Sequence, residues 1–96
     1  MRKAKVDDNQ QEIVEALRKA GCSVAITSSA HDGFPDIVVG RANENYMIEI
    51  KDGNKPPSRR KLTSKQVKFH SEWLGQIDVA KDVEEAFKIV GLISES

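Results

Sequence analysis

Residues 36 to 51 constrain the fold more than any other stretch. Asp36–Arg41 and Tyr46–Lys51 are two short runs rich in β-branched and aromatic residues, and a polar reversal at Asn43, Glu44 and Asn45 lies between them. Two such runs joined so closely predict an antiparallel hairpin. In the second run, side chains that alternate across a strand send Glu49 and Lys51 one way and Ile48 and Ile50 the other. A carboxylate and an ammonium therefore share one face while two isoleucines take the other. Asp36 opens the first run immediately after Gly33-Phe34-Pro35, a turn that fixes the entering chain, and the hairpin can bring it beside Glu49.

The rest of the chain supplies elements to flank that hairpin. Ile13, Val14, Leu17 and Ala20 recur at helical spacing behind the capping candidates Asp7 and Asp8, and Gly21 is a natural stop. Ser23 to Ser28 reads as a first strand. Asp52 to Leu62, interrupted by Pro56 and Pro57, reads as a loop. Thr63 or Ser64 can cap a second helix with Gln66, Phe69, His70 and Trp73 on one stripe, ending near Gly75. Ile77 to Ala80 gives a fourth strand. Asp82 with Glu85 resembles a capping box for a last helix with Val83, Ala86, Phe87 and Val90 on its apolar side. The order α-β-β-β-α-β-α predicts an α+β fold, a single mixed sheet flanked by helices, in one domain over residues 1–96.

Several functional classes are excluded at this level. No apolar run approaches the roughly 20 residues that cross a bilayer, and the basic N-terminus is not followed by the apolar stretch of a secretory signal, so a cytoplasmic protein is expected. The single cysteine, Cys22, forms no internal disulfide and makes no thiolate zinc site alone; it is expected as a small residue near the start of a strand. Lysine plus arginine equal aspartate plus glutamate at 15 each, but the charges are segregated. From Lys51 to His70, Lys51 included, stand seven lysines and arginines and one acid, Asp52. That segregation suits a surface with one side facing phosphates, with Lys55, Arg59, Arg60 and Lys61 as the candidates to grip them.

Two carboxylates held a few ångströms apart, as Asp36 and Glu49 would be, repel unless a cation sits between them. A hard divalent ion such as magnesium suits oxygen ligands and retains waters for reaction. Lys51 can then orient or deprotonate an attacking water, or stabilise negative charge in the transition state. His31 and His70 offer no tight ligand set; His31 reads as a solvated turn residue, and His70 and Trp73 as packing residues.

Three segments, Gly33–Gly40, Ile48–Lys51 and Leu62–His70, together resemble the VRR-NUC domain, the virus-type replication-repair branch of the PD-(D/E)XK nucleases. The resemblance covers essentially the whole chain and implies a restriction-endonuclease-like core. It implies Asp36 and Glu49 as metal ligands, the Ile50 carbonyl as a further ligand, Lys51 as the catalytic lysine, and Gln66 as the family's glutamine. It also implies an acid on the first helix. At 100° per residue Glu12 lies at the edge of the Ile13/Leu17 stripe while Glu15 points away, so Glu12 is the choice for both metal and catalysis.

The function implied is a magnesium- or manganese-dependent DNA endonuclease of phage replication, recombination or repair, selective for structure such as a Holliday junction or flap. A homodimer is expected, since stand-alone members of that family resemble junction resolvases. Two rivals remain open: a sequence-specific restriction-type nuclease, and a catalytically inactive nucleic-acid-binding or partner subunit with the same fold.

Overall fold

The computed structural model describes residues 8–95. The expected element order is observed: α1 (Gln10–Lys19), β1 (Ser23–Ile26), β2 (Ile37–Arg41), β3 (Glu44–Ile50), α2 (Ser64–Glu72), β4 (Asp78–Ala80) and α3 (Val83–Ile89). A single 3-10 turn, Pro57–Arg59, sits inside the segment expected to be loop throughout. The sheet runs β1-β2-β3-β4, with β1, β2 and β3 antiparallel and β4 parallel to β3, a mixed sheet as predicted.

The hairpin is tighter than the sequence suggested. β3 begins at Glu44, so the reversal is only Ala42-Asn43, both with positive φ of 51° and 67°. Positive φ at both central residues is the geometry whose twist matches the flanking strands. It pairs Ile37 with Ile48 and Val39 with Tyr46.

One face of the sheet is aliphatic. Ile37, Val39, Ile48 and Ile50 are fully buried there against Ile13 and Leu17 of α1 and Ala86 and Val90 at α3. Ala20, counted on the sequence stripe, is instead the exposed C-cap of α1. Both α1 and α3 end in the same way: glycine with positive φ (Gly21, Gly91) is followed by a residue whose amide returns to the helix, Cys22 to the Leu17 carbonyl and Leu92 to that of Phe87. Cys22 is buried just before β1.

The helix starts divide between expectation and surprise. Thr63 caps α2 with a complete capping box, its side chain accepting from the Gln66 amide while the Gln66 side chain accepts from the Thr63 amide. Asp82 Oδ1 caps α3 by accepting from the Glu85 amide, but the Glu85 carboxylate accepts from Lys81 rather than closing a box on Asp82. For α1 the N-cap is Asn9, not Asp8, which is exposed and lies 3.8 Å from the Lys55 ammonium; Asp7 lies outside the described residues.

α2 connects β3 to β4 and lies over the other face of the sheet, where Gln66 reaches Glu49. It buries none of its residues fully. Phe69 stacks on Trp73 at 5.3 Å and meets the Phe34 ring edge-on at 5.3 Å, which packs the helix against the turn before Asp36. Gly33, at φ +80°, is required in that turn: a Cβ there would stand 2.5 Å from the Lys65 carbonyl oxygen of α2.

Candidate functional site

The last paired positions of β2 and β3 are Ile37 and Ile48, and one step further along the same register Asp36 faces Glu49. The two carboxylates therefore lie at the same end of the hairpin, and both line one cleft of about 200 Å³. Lys51 and Gln66 line it as well, and Arg59 and Lys61 form its basic rim.

Asp36, Glu49, Lys51 and Gln66 are each held by specific partners. Asp36 Oδ2 accepts the Ile50 amide at 2.7 Å, which fixes the carboxylate across the hairpin against the residue between Glu49 and Lys51. Glu49 is 1% exposed, and its Oε2 accepts from Gln66 Nε2 at 2.8 Å. Lys51 is buried, and its Nζ donates to Gln66 Oε1 at 2.9 Å while standing 4.0 Å from Glu49 Oε2. Gln66 Oε1 also accepts the Thr63 amide at 2.9 Å. One carboxamide thus starts α2 and spans the Glu49–Lys51 pair, so protein groups satisfy the half-buried amide.

His70 follows Gln66 by one helical turn. Burial first, and the nearby Lys51 ammonium second, hold its imidazole below the ordinary value of 6.5. Its Nε2 is buried without a hydrogen-bond partner among the described residues. His31 is exposed in the turn before Asp36, its ring 6.2 Å from that of Phe69.

The structure brings together Asp36, Glu49, Lys51 and Gln66, with the Ile50 peptide beside them. The other site candidates are dispersed. Glu12 is exposed in the first turn of α1 and does not line the cleft. Of the four basic candidates, Arg59 and Lys61 reach the rim, Lys55 is turned toward Asp8, and Arg60 is half-buried with its Nε enclosed. Among the described residues no three His, Cys, Asp or Glu side chains gather as a metal cluster. The donors available are the Asp36 and Glu49 carboxylates with backbone carbonyls, an all-oxygen set that fits a hard divalent cation completing its shell with water.

Two residues close to the site carried no signal of it in the sequence. Thr63, read only as a cap, lines the cleft. Asn9 donates from Nδ2 to the carbonyls of Lys51, at 3.2 Å, and Lys81, at 2.9 Å. Its only local clue was an amide residue just ahead of a helix.

No helix of the described residues is long and apolar enough to cross a membrane. The family model for archaeal Holliday junction resolvase (hjc) matches residues 1–88. No curated protein and no solved structure matches the chain.

Proposed function

The chain belongs to the archaeal Holliday junction resolvase family, within the PD-(D/E)XK nuclease superfamily, and from that premise we propose that it is a structure-selective DNA endonuclease acting on four-way junctions. The observation that carries this reading is the convergence of Asp36, Glu49 and Lys51 in a cleft rimmed by Arg59 and Lys61. The VRR-NUC relationship within the superfamily is a finer proposal, supported by the three motif segments alone. So is the setting, phage DNA replication, recombination or repair in the host cytoplasm by a nuclease domain spanning residues 1–96.

In the proposed reaction, Asp36, Glu49 and the Ile50 carbonyl would hold magnesium or manganese. Such an ion, when bound, polarises a phosphate oxygen, acidifies water and offsets charge on the leaving oxygen. Glu12, exposed on α1 and not lining the cleft, is the acid proposed from the first helix to complete this donor set. The Lys51 ammonium is directed into the cleft by Gln66, where it orients the attacking water and faces the charge that builds on the phosphate. Gln66 keeps Glu49 and Lys51 in register with the start of α2. Arg59 and Lys61 grip the phosphates flanking the scissile bond, with Lys55 and Arg60 further along the backbone, so affinity falls with salt and carries little base information.

A junction has two strands to cut, and the proposed enzyme is a homodimer. Its support is a set of exposed apolar residues: Val67 of α2 (52%), Trp73 (41%) and Leu74 (101%) just after that helix, and Val79 of β4 (39%). Sedimentation at micromolar concentration tests it, and a monomer there removes the two-fold arrangement.

The decisive experiment is a cleavage panel of single strand, duplex, flap and four-way junction, each with magnesium, manganese or chelator. Junction cleavage that requires a divalent ion is the expected result. Preferred cutting of plain duplex at fixed sequences would instead support a restriction-type enzyme, and no cutting with manganese present would support an inactive binding subunit.

A further inference from the structure

Asn9 occupies the N-cap of α1 and does not act as a cap. An asparagine in that position ordinarily turns its side-chain oxygen onto the amide two or three residues ahead. Here the backbone is at φ −89°, ψ 0°, no side-chain cap bond forms, and Oδ1 is buried with no partner among the described residues. The residue is only 9% exposed. Its amide nitrogen is directed away from its own helix, onto two carbonyls 42 and 72 residues distant, those of Lys51 and Lys81.

Those two carbonyls mark the place where β3 and β4 run out. Beyond the last paired residues, Ile50 and Ala80, the chains stay together through the Lys51 amide on the Ala80 carbonyl at 3.0 Å and the Gly53 amide on the Lys81 carbonyl at 3.1 Å. Asn9 Nδ2 closes the same end, bridging the Lys51 and Lys81 carbonyls. The Lys51 backbone is thereby held on both sides of its Cα, its N–H by β4 and its C=O by the start of α1. A helix that forgoes its own cap to hold a distant backbone breaks a local rule where function supplies the reason.

We propose that Asn9 is a positioning residue for Lys51: by pinning the Lys51 carbonyl to the ends of α1 and β4, it aims the ammonium into the cleft. Gln66 holds the tip of the lysine side chain and Asn9 holds its root. This rests on the nuclease reading of the same cleft and adds a second anchor to it. Displacing a reacting group by about 1 Å can lower a rate by about 10²-fold, so loss of the root anchor acts on turnover rather than on substrate binding.

The test uses the full chain with Asn9→Ser and Asn9→Asp. Both keep an oxygen able to cap α1, and both lack the amide donor at neutral pH, so whichever variant folds carries the experiment. Four-way junction cleavage with magnesium should show kcat lowered by about 10- to 100-fold with KM unchanged. Hydrogen exchange at the Lys51 and Gly53 amides should accelerate while the Ile13 and Val14 amides keep wild-type protection, a pattern that a general loss of stability would not give. A folded variant with wild-type kcat overturns the inference and leaves the nuclease reading standing. If the wild-type chain cuts nothing, the nuclease reading fails, and exchange then decides alone: unaltered Lys51 and Gly53 amides overturn the positioning role.

Discussion

The two faces of the sheet divide the labour of this molecule. On one, Ile37, Ile48 and Ile50 are completely buried beneath α1 and α3. On the other, Glu49, Lys51 and Gln66 form a polar network under a helix that buries none of its residues fully. β3 serves both faces, because its period of two sends successive residues to opposite sides. The aliphatic face stabilises the fold by withdrawing hydrocarbon from water, at roughly 25 cal/mol per Å². The polar face gains little in that way, since burying a carboxylate and an ammonium carries a desolvation penalty that their attraction only partly offsets. Stability and chemistry can therefore be changed separately through adjacent residues of a single strand.

Lys51→Ala should produce the largest change. Removing a group aimed at developing charge lowers a rate by about 10²- to 10³-fold, and single-turnover cleavage of a junction measures it. The substitution also takes from Glu49 a cation 4.0 Å away, so the metal-free variant should melt below wild type, and added magnesium should recover most of that difference. Cleavage at the wild-type rate would remove lysine from the mechanism.

Ile48→Ala, on the opposite face, should behave in the reverse manner. A fully buried isoleucine truncated to alanine lowers stability by about 2 to 5 kcal/mol, or roughly 10 °C or more in Tm for a chain of this size. Magnesium should not selectively repair that loss, and at low temperature the remaining folded protein should cleave at near the wild-type rate. Selective rescue by magnesium would mean that the two faces are coupled and the division is wrong.

Acidification gives a smaller effect, confined to the polar face. The His70 imidazole, held below 6.5 by burial and by Lys51, binds fewer protons in the folded state than in the unfolded chain just below that value. Its contribution to stability is therefore fully present above about pH 6.5 and is lost as the pH falls through the lowered value. Melting followed between pH 7.5 and 5 should show this decline, and His70→Gln should flatten it. An equal slope in the variant would assign the decline to other groups.

What the sequence made legible follows from the range of each signal. Alternation along Tyr46–Lys51 is local, and it separated Glu49 and Lys51 from Ile48 and Ile50 as the structure does. The Gly33-Phe34-Pro35 turn with the hairpin after it was likewise enough to expect Asp36 beside Glu49. Asn9 could not be read in this way, because its partners are carbonyls, which no side-chain pattern encodes, at 42 and 72 residues' separation. Helical projection placed Glu12 at the edge of the apolar stripe, but an angle about the α1 axis does not say how far that edge lies from β3. In the basic loop, a 3-10 turn over Pro57–Arg59 carries Arg59, one of the two cations that reach the cleft, and proline content had argued against any regular element there.

The smallest predicted effect concerns the device that keeps the faces apart. A one-residue slip between β2 and β3 would exchange the environments of Ile48 and Glu49, so the Ala42-Asn43 turn guards the division although it touches neither face. Ala42 is the weak point of that turn. At φ 51° it holds a left-handed conformation that costs an ordinary L-residue about 1 to 2 kcal/mol, and that asparagine tolerates through its short polar side chain. Ala42 is also exposed, so a larger side chain meets no packed neighbour. Ala42→Asn should therefore stabilise the protein by about 0.5 to 1 kcal/mol, raising Tm by roughly 2 to 8 °C with kcat and KM unchanged. A gain in stability accompanied by altered turnover would show that the turn governs the geometry of the polar face as well as its register, and no gain would place the strain elsewhere in the hairpin.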